Sequence, residues 1–141
     1  MKRILSAGLL LILLILPGLG LTEGDNTITL ARTLYTLGRD EDYQTLLMLG
    51  TVVMNRVESP WFPNTVAEVL GEPHQFPHGM MYDERTLQAA REIMMGRRAA
   101  DEDVVYYTHI DSAAYFREEN ARQYAESGSY LFYELMWNVA E

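Results

Sequence analysis

The residues able to do chemistry are few and fall in short groups. Asp40, Glu41 and Asp42 form a run of three acids, with Tyr35 and Arg39 just before them. His74, His78 and His109 are the only histidines, and there is no cysteine. Gln75-Phe76 follows His74, Tyr106-Tyr107 lies further on, and Asn55-Arg56 sets an amide beside a guanidinium. Carboxyls can move protons and imidazoles can hold metals, so each group is weighed against a structural duty. The four-residue step from His74 to His78 would align two ligands on one helical turn, but Pro73 and Pro77 forbid a regular helix there. Without cysteine or a His-Glu-x-x-His motif, no metal site is expected. No Gly-rich phosphate loop stands out, and no cofactor is expected. Three adjacent acids suit the positive end of a helix. Asn55 is expected to tie a turn through backbone hydrogen bonds, and Arg56 to pair with an acid. Glu68, Glu72, Asp83 and Asp111 also fall near predicted loops, and nothing in their spacing singles one out.

The elements that must position these groups follow from periodicity and punctuation. Asn26 or Thr27 is a candidate cap for a helix over Ile28–Leu37, whose Ile28, Ala31, Leu34 and Tyr35 share a face; Gly38 stops it. Tyr43–Val57 is apolar nearly all round, the mark of a helix in the middle of a domain. Ser59 to Pro63 is a turn, Asn64 or Thr65 caps a short helix to Leu70, and Gly71 to Gly79 is a long irregular loop. Asp83 caps a helix over Glu84–Met95, ended by Gly96, and Ala99 to Asp103 is a polar connection. Val104–Thr108 then reads as a strand, with Ala113–Phe116 and Ser129–Glu134 as further short strands. Residues 117–126 fit helix or loop. Helices followed by a small antiparallel sheet make an α+β domain.

Composition narrows the setting. Met1-Lys2-Arg3, an apolar run from Ile4 to Leu16 and Pro17-Gly18 have the order of an export signal. Residues 1–21 are therefore expected to be a signal peptide or membrane anchor, 22–27 a linker and 28–141 one domain. All 20 acidic residues lie beyond residue 21, while Lys2 is the sole lysine, so the exported part is more acidic than the whole chain's −9. That charge argues against nucleic acid as a partner.

One family matches the succession of these residues. Leu30-Ala31-Arg32-Thr33-Leu34-Tyr35 leads to Arg39 and Glu41; Val52-Val53-Met54-Asn55-Arg56-Val57 is followed by Phe62-Pro63-Asn64-Thr65-Val66 and Val69; then come Gln75-Phe76, Ala89-Ala90, Gly96 and Tyr106-Tyr107. Over about Leu30 to Tyr133 the chain resembles the SleB-type cell wall hydrolases, the family of the spore cortex-lytic enzymes. The stretch Val52–Leu70 carries the resemblance most strongly. It implies a lysozyme-like, mainly helical α+β domain acting on the glycan strands of peptidoglycan.

The family's Tyr-Gly-Glu-Ala/Ser-Arg-Gly-Glu motif reads Tyr35-Thr36-Leu37-Gly38-Arg39-Asp40-Glu41 here. The first glutamate, which the resemblance makes the catalytic acid, falls on Leu37. Glycoside cleavage needs a proton for the leaving oxygen, and leucine has none. Glu41 is the nearest substitute; the alternative is a first-turn or capping duty. By the same resemblance Gln75 and Phe76 form a cleft wall or a loop anchor, Tyr106 and Tyr107 divide between core and sugar contact, and Arg39 meets substrate or locks the turn. The expectation is a glycan-binding protein with catalysis impaired or lost, a pseudoenzyme. An active hydrolase or lytic transglycosylase using Glu41 is one alternative. A module docking to another envelope protein is the other.

Overall fold

The computed structural model describes residues 24–137; residues 1–21, expected from the sequence to be a signal peptide or anchor, lie outside them. Helix α1 runs Asp25–Gly38, α2 Tyr43–Glu58, α3 Val66–Gly71 and α4 Glu84–Met94. Three strands follow, β1 Val104–His109, β2 Ala121–Ser127 and β3 Tyr130–Leu135. A 3-10 turn, Ile110–Tyr115, sits between β1 and β2. The sheet is antiparallel in the order β1-β3-β2.

Helix α2 is the centre, as its all-round apolar sequence requires. It buries 11 of its 16 residues, from Thr45 to Arg56. Helices α1 and α4 pack on each other and on α2, and β1 packs on α2 as well. At Gly50 an added Cβ would lie 2.9 Å from Ile93 Cγ1, so glycine lets α4 approach α2 closely. Asn55 extends this centre toward the sheet, donating Nδ2–H to the carbonyls of Asp101 (2.7 Å) and Val104 (3.0 Å). It therefore holds the connection before β1 rather than the turn after its own helix.

Three of the four helix starts are set by side-chain caps. Asp42 accepts from Thr45 N–H, Thr65 from Glu68 N–H, and Asp83 forms a reciprocal capping box with Thr86. Helix α1 starts earlier than expected, at Asp25 behind Gly24, with Asn26 and Thr27 inside it and no side-chain cap. The hydrogen bonds from Thr86 hold the Asp83 carboxyl below its ordinary range. A carboxyl depressed on folding stabilises above its unfolded value, near 3.8, and loses that contribution as pH falls through its folded value. Asp83→Ala should thus cost about 1 kcal/mol at neutral pH. In thermal melts across pH 2–7, that gap should close in acid; a gap constant with pH would overturn the assignment.

Two sequence expectations fail in the C-terminal third. Ala113–Phe116 is not a strand: most of it belongs to the 3-10 turn, with Phe116 just after. Residues 117–126, read as helix or loop, contain most of β2. Its sequence ARQYAES lacks the apolar alternation of a half-buried strand because β2 is an edge strand, largely exposed. Pairing with β3 across the Gly128 turn makes it a strand, and Gly128 has the positive φ (56°) that this turn requires.

Candidate functional site: a two-part cleft beside the turn after α1

A cleft of about 660 Å³ opens where α1 ends. Its walls include Tyr35, Leu37, Arg39, Asp40 and Glu41 from the end of α1 and the turn, Met80 and Met81 from the long loop, and His109, Ser129 and Tyr130 from the sheet. Leu37 presents a half-buried aliphatic side chain packed on the core, and its carbonyl accepts Tyr130 Oη–H at 2.7 Å. Burial, and next the nearby Glu41 charge, push the Tyr130 phenol up, which keeps it a neutral donor.

The turn bearing Arg39, Asp40 and Glu41 is held by a residue the sequence reading passed over. Arg85, in the first turn of α4, donates to the carbonyls of Glu41 (2.6 Å), Arg39 (2.9 Å) and Gly38 (3.5 Å). Arg39 itself is exposed, with Nε 3.8 Å from Asp40 Oδ2 and its guanidinium 5.9 Å from the Tyr35 ring centroid. The lock on the turn is therefore Arg85, and Arg39 faces the cleft. A charged residue in the first turn of a helix is common, so no signal marks Arg85 in the sequence.

Glu41 has neither of the helix-start duties considered for it, because Asp42 is the α2 cap. Its carboxylate crosses to the β2–β3 turn and accepts Ser129 N–H, with the two oxygens at 3.3 and 3.2 Å. Thr45 Oγ1 and Ser127 Oγ, 2.7 Å apart, make a second tie between the same elements. The cleft and the hairpin thus share Glu41.

A second recess of about 430 Å³ adjoins the first, with His109 in the walls of both. Gln75, Tyr106 and Tyr107 line it. Phe76 does not: it is 4% exposed and stacks beneath Tyr107 with ring centroids 5.3 Å apart, bracing the wall. Tyr107 donates to the Gln75 carbonyl at 2.6 Å, and burial pushes its phenol up to about 12. Gln75 Oε1 accepts from Arg56 Nη1 at 3.1 Å. Arg56 also donates Nε–H to the Val105 carbonyl at 2.7 Å and lies 4.9–5.8 Å from the centroids of Phe62, Phe76 and Tyr106. The acid partner expected for it is replaced by a carbonyl, an amide and aromatic faces. Desolvation pushes its guanidinium below the ordinary range.

The expected site residues therefore divide. Arg39, Glu41 and the Leu37 position meet in the first cleft; Gln75, Tyr106 and Tyr107 meet in the recess beyond His109. Together they form a groove with hydrogen-bonding groups and aromatic walls, the lining that suits a polar ligand with apolar faces.

Residues 40–133 match the cell wall hydrolase family. The chain belongs to the cell wall hydrolase family. The matched segment opens just beyond Leu37 and takes in Arg56, Gln75 and both tyrosines. The spore cortex-lytic enzyme of Bacillus subtilis is 32% identical over 103 residues, covering 70% of this chain and 33% of that protein. The chain thus spans about a third of that curated relative's length. Among solved structures, the catalytic domain of the Bacillus cereus SleB protein superposes with TM-score 0.68 at 24% identity, over 77% of this chain and 89% of that one. The catalytic domain of the germination-specific lytic transglycosylase SleB from Bacillus anthracis gives 0.67 at 24%, over 82% and 98%. These likenesses establish a lysozyme-like α+β cell wall hydrolase fold, with its small sheet near the C-terminus.

Proposed function

We propose that this cell wall hydrolase domain is directed to peptidoglycan and binds its glycan strands along the two-part groove. It cleaves them weakly or not at all, in a protein exported through its N-terminal segment. One observation carries the reading: the cleft beside Glu41 is lined by the aliphatic Leu37, the residue to which the motif resemblance assigns the acid's place, with Met80 and Met81 alongside. Losing general acid catalysis costs about 10²–10⁴-fold. Tyr35, Gln75 and the recess tyrosines remain in place as ligand contacts, so binding outlasts cleavage.

Glycan cleavage with Glu41 as a displaced acid has one observation in its favour, since Glu41 lines the same cleft as Leu37. Against it stands the Ser129 N–H that both carboxylate oxygens share, which gives Glu41 an anchoring duty in the resting protein.

The purified chain, incubated with peptidoglycan sacculi, should co-sediment with them and release no soluble muropeptides. Release that Glu41→Gln abolishes would replace this reading with the displaced-acid enzyme. Failure to sediment would leave the domain as a docking module for another envelope protein.

A further inference from the structure

Among the described residues Arg56 is the only buried charged side chain, at 3% exposure, and it forms no ion pair. A buried guanidinium is normally matched by a carboxylate, because desolvating a charge without a counter-ion is costly. Here Nε and Nη1 donate to neutral oxygens and three rings flank the cation, which offsets the cost in part. Nη2 makes no hydrogen bond among the described residues and is not sealed from solvent. The guanidinium faces the recess of about 430 Å³. Arg117 lines that recess and is held there by Nη1 hydrogen bonds to the carbonyls of Ala114 (2.7 Å) and Phe116 (2.8 Å). Two guanidinium groups thus share one recess on a chain whose net charge is −9.

We propose that this recess binds a carboxylate of the wall ligand, with Arg56 as its buried counter-ion and Arg117 at the rim. This rests on the wall-directed reading above. The planar fork of a guanidinium matches a carboxylate better than any other biological cation does. Every second sugar of a wall glycan carries a lactyl ether ending in a carboxyl group, which is free where no peptide is attached. His109 borders both compartments, so a sugar in the first cleft can reach over it with that branch. Glu118 also lines the recess, exposed and beyond ion-pair distance of Arg56, and it repels an entering anion.

The test titrates the full chain with N-acetylmuramic acid, its lactyl methyl amide and N-acetylglucosamine, following the Arg56 Nε–H resonance. The acid should bind roughly tenfold or more tightly than the amide, as for a hydrogen bond gaining a charged partner. Arg56→Lys, which keeps the charge and loses the fork, should erase most of that preference. Arg117→Gln, an exposed change that leaves the core alone, should weaken it, and Glu118→Gln should strengthen acid binding about two- to threefold. Equal affinity for acid and amide, no binding of the acid, or a preference unchanged in both arginine variants would each overturn the inference. Sedimentation with sacculi but no acid preference removes this inference alone. Acid preference without sedimentation removes the wall-directed reading and leaves the carboxylate site.

Discussion

Leu37→Glu should give the chain glycan-cleaving activity. Soluble muropeptides released from sacculi should rise about 10²–10⁴-fold over the parent, the range that general acid catalysis contributes. The physical case rests on where position 37 sits. Its side chain is half-buried and packed on the core, and the cleft also contains Met80, Met81 and Tyr35. A carboxyl introduced there is partly desolvated, which favours the protonated form a glycosidic leaving oxygen needs. The groove beyond it is unchanged by the substitution. Measured release, with sacculus binding as the control for folding, decides the matter. Binding retained with no release above the parent would show that Leu37 is not the missing acid's place.

Gly128→Ala should destabilise the domain although it adds a single methyl group. It places a Cβ at φ +56°, a region that costs an L-residue roughly 1–2 kcal/mol. That Cβ would also overlap the Glu41 carboxylate and come within 3.0 Å of Thr45 Oγ1. Relieving the overlap means giving up the Ser129 N–H bond to Glu41. Steric strain and the lost bond together should destabilise the domain by about 2–4 kcal/mol in urea unfolding. A double-mutant cycle separates the two contributions: in a Glu41→Ala background the backbone cost remains and the overlap disappears, so the Gly128→Ala penalty should shrink. An equal penalty in both backgrounds would refute the coupling between the hairpin turn and the cleft.

Both expected results depend on contacts between parts of the chain far apart in sequence, and these were the least legible beforehand. The helical half could be read because its signals are local. Asn64 or Thr65 and Asp83 read as caps, Gly96 as a stop, and the apolar circumference of Tyr43–Val57 as a buried centre; Thr65 and Asp83 are the caps, and the helix bounds agree within a residue or two. The edge strand β2 escaped notice because an exposed strand has no apolar period, and its partner β3 defines it. Arg85 escaped because nothing in its own neighbourhood says that it reaches three carbonyls at the end of α1.

The sequence by itself determined the family, the α+β class and the central helix. Those depend on residue order and on periods of a few residues. Tertiary structure alone decided what the polar groups do. Glu41 belongs to the hairpin as well as to the cleft, because a turn 88 residues later brings Ser129 N–H to its carboxylate. Arg56 lies among aromatic rings without an acid, because α2, the loop and β1 converge there. Burial and partnership are properties of packed neighbours, and no spacing along the chain encodes which neighbours those are.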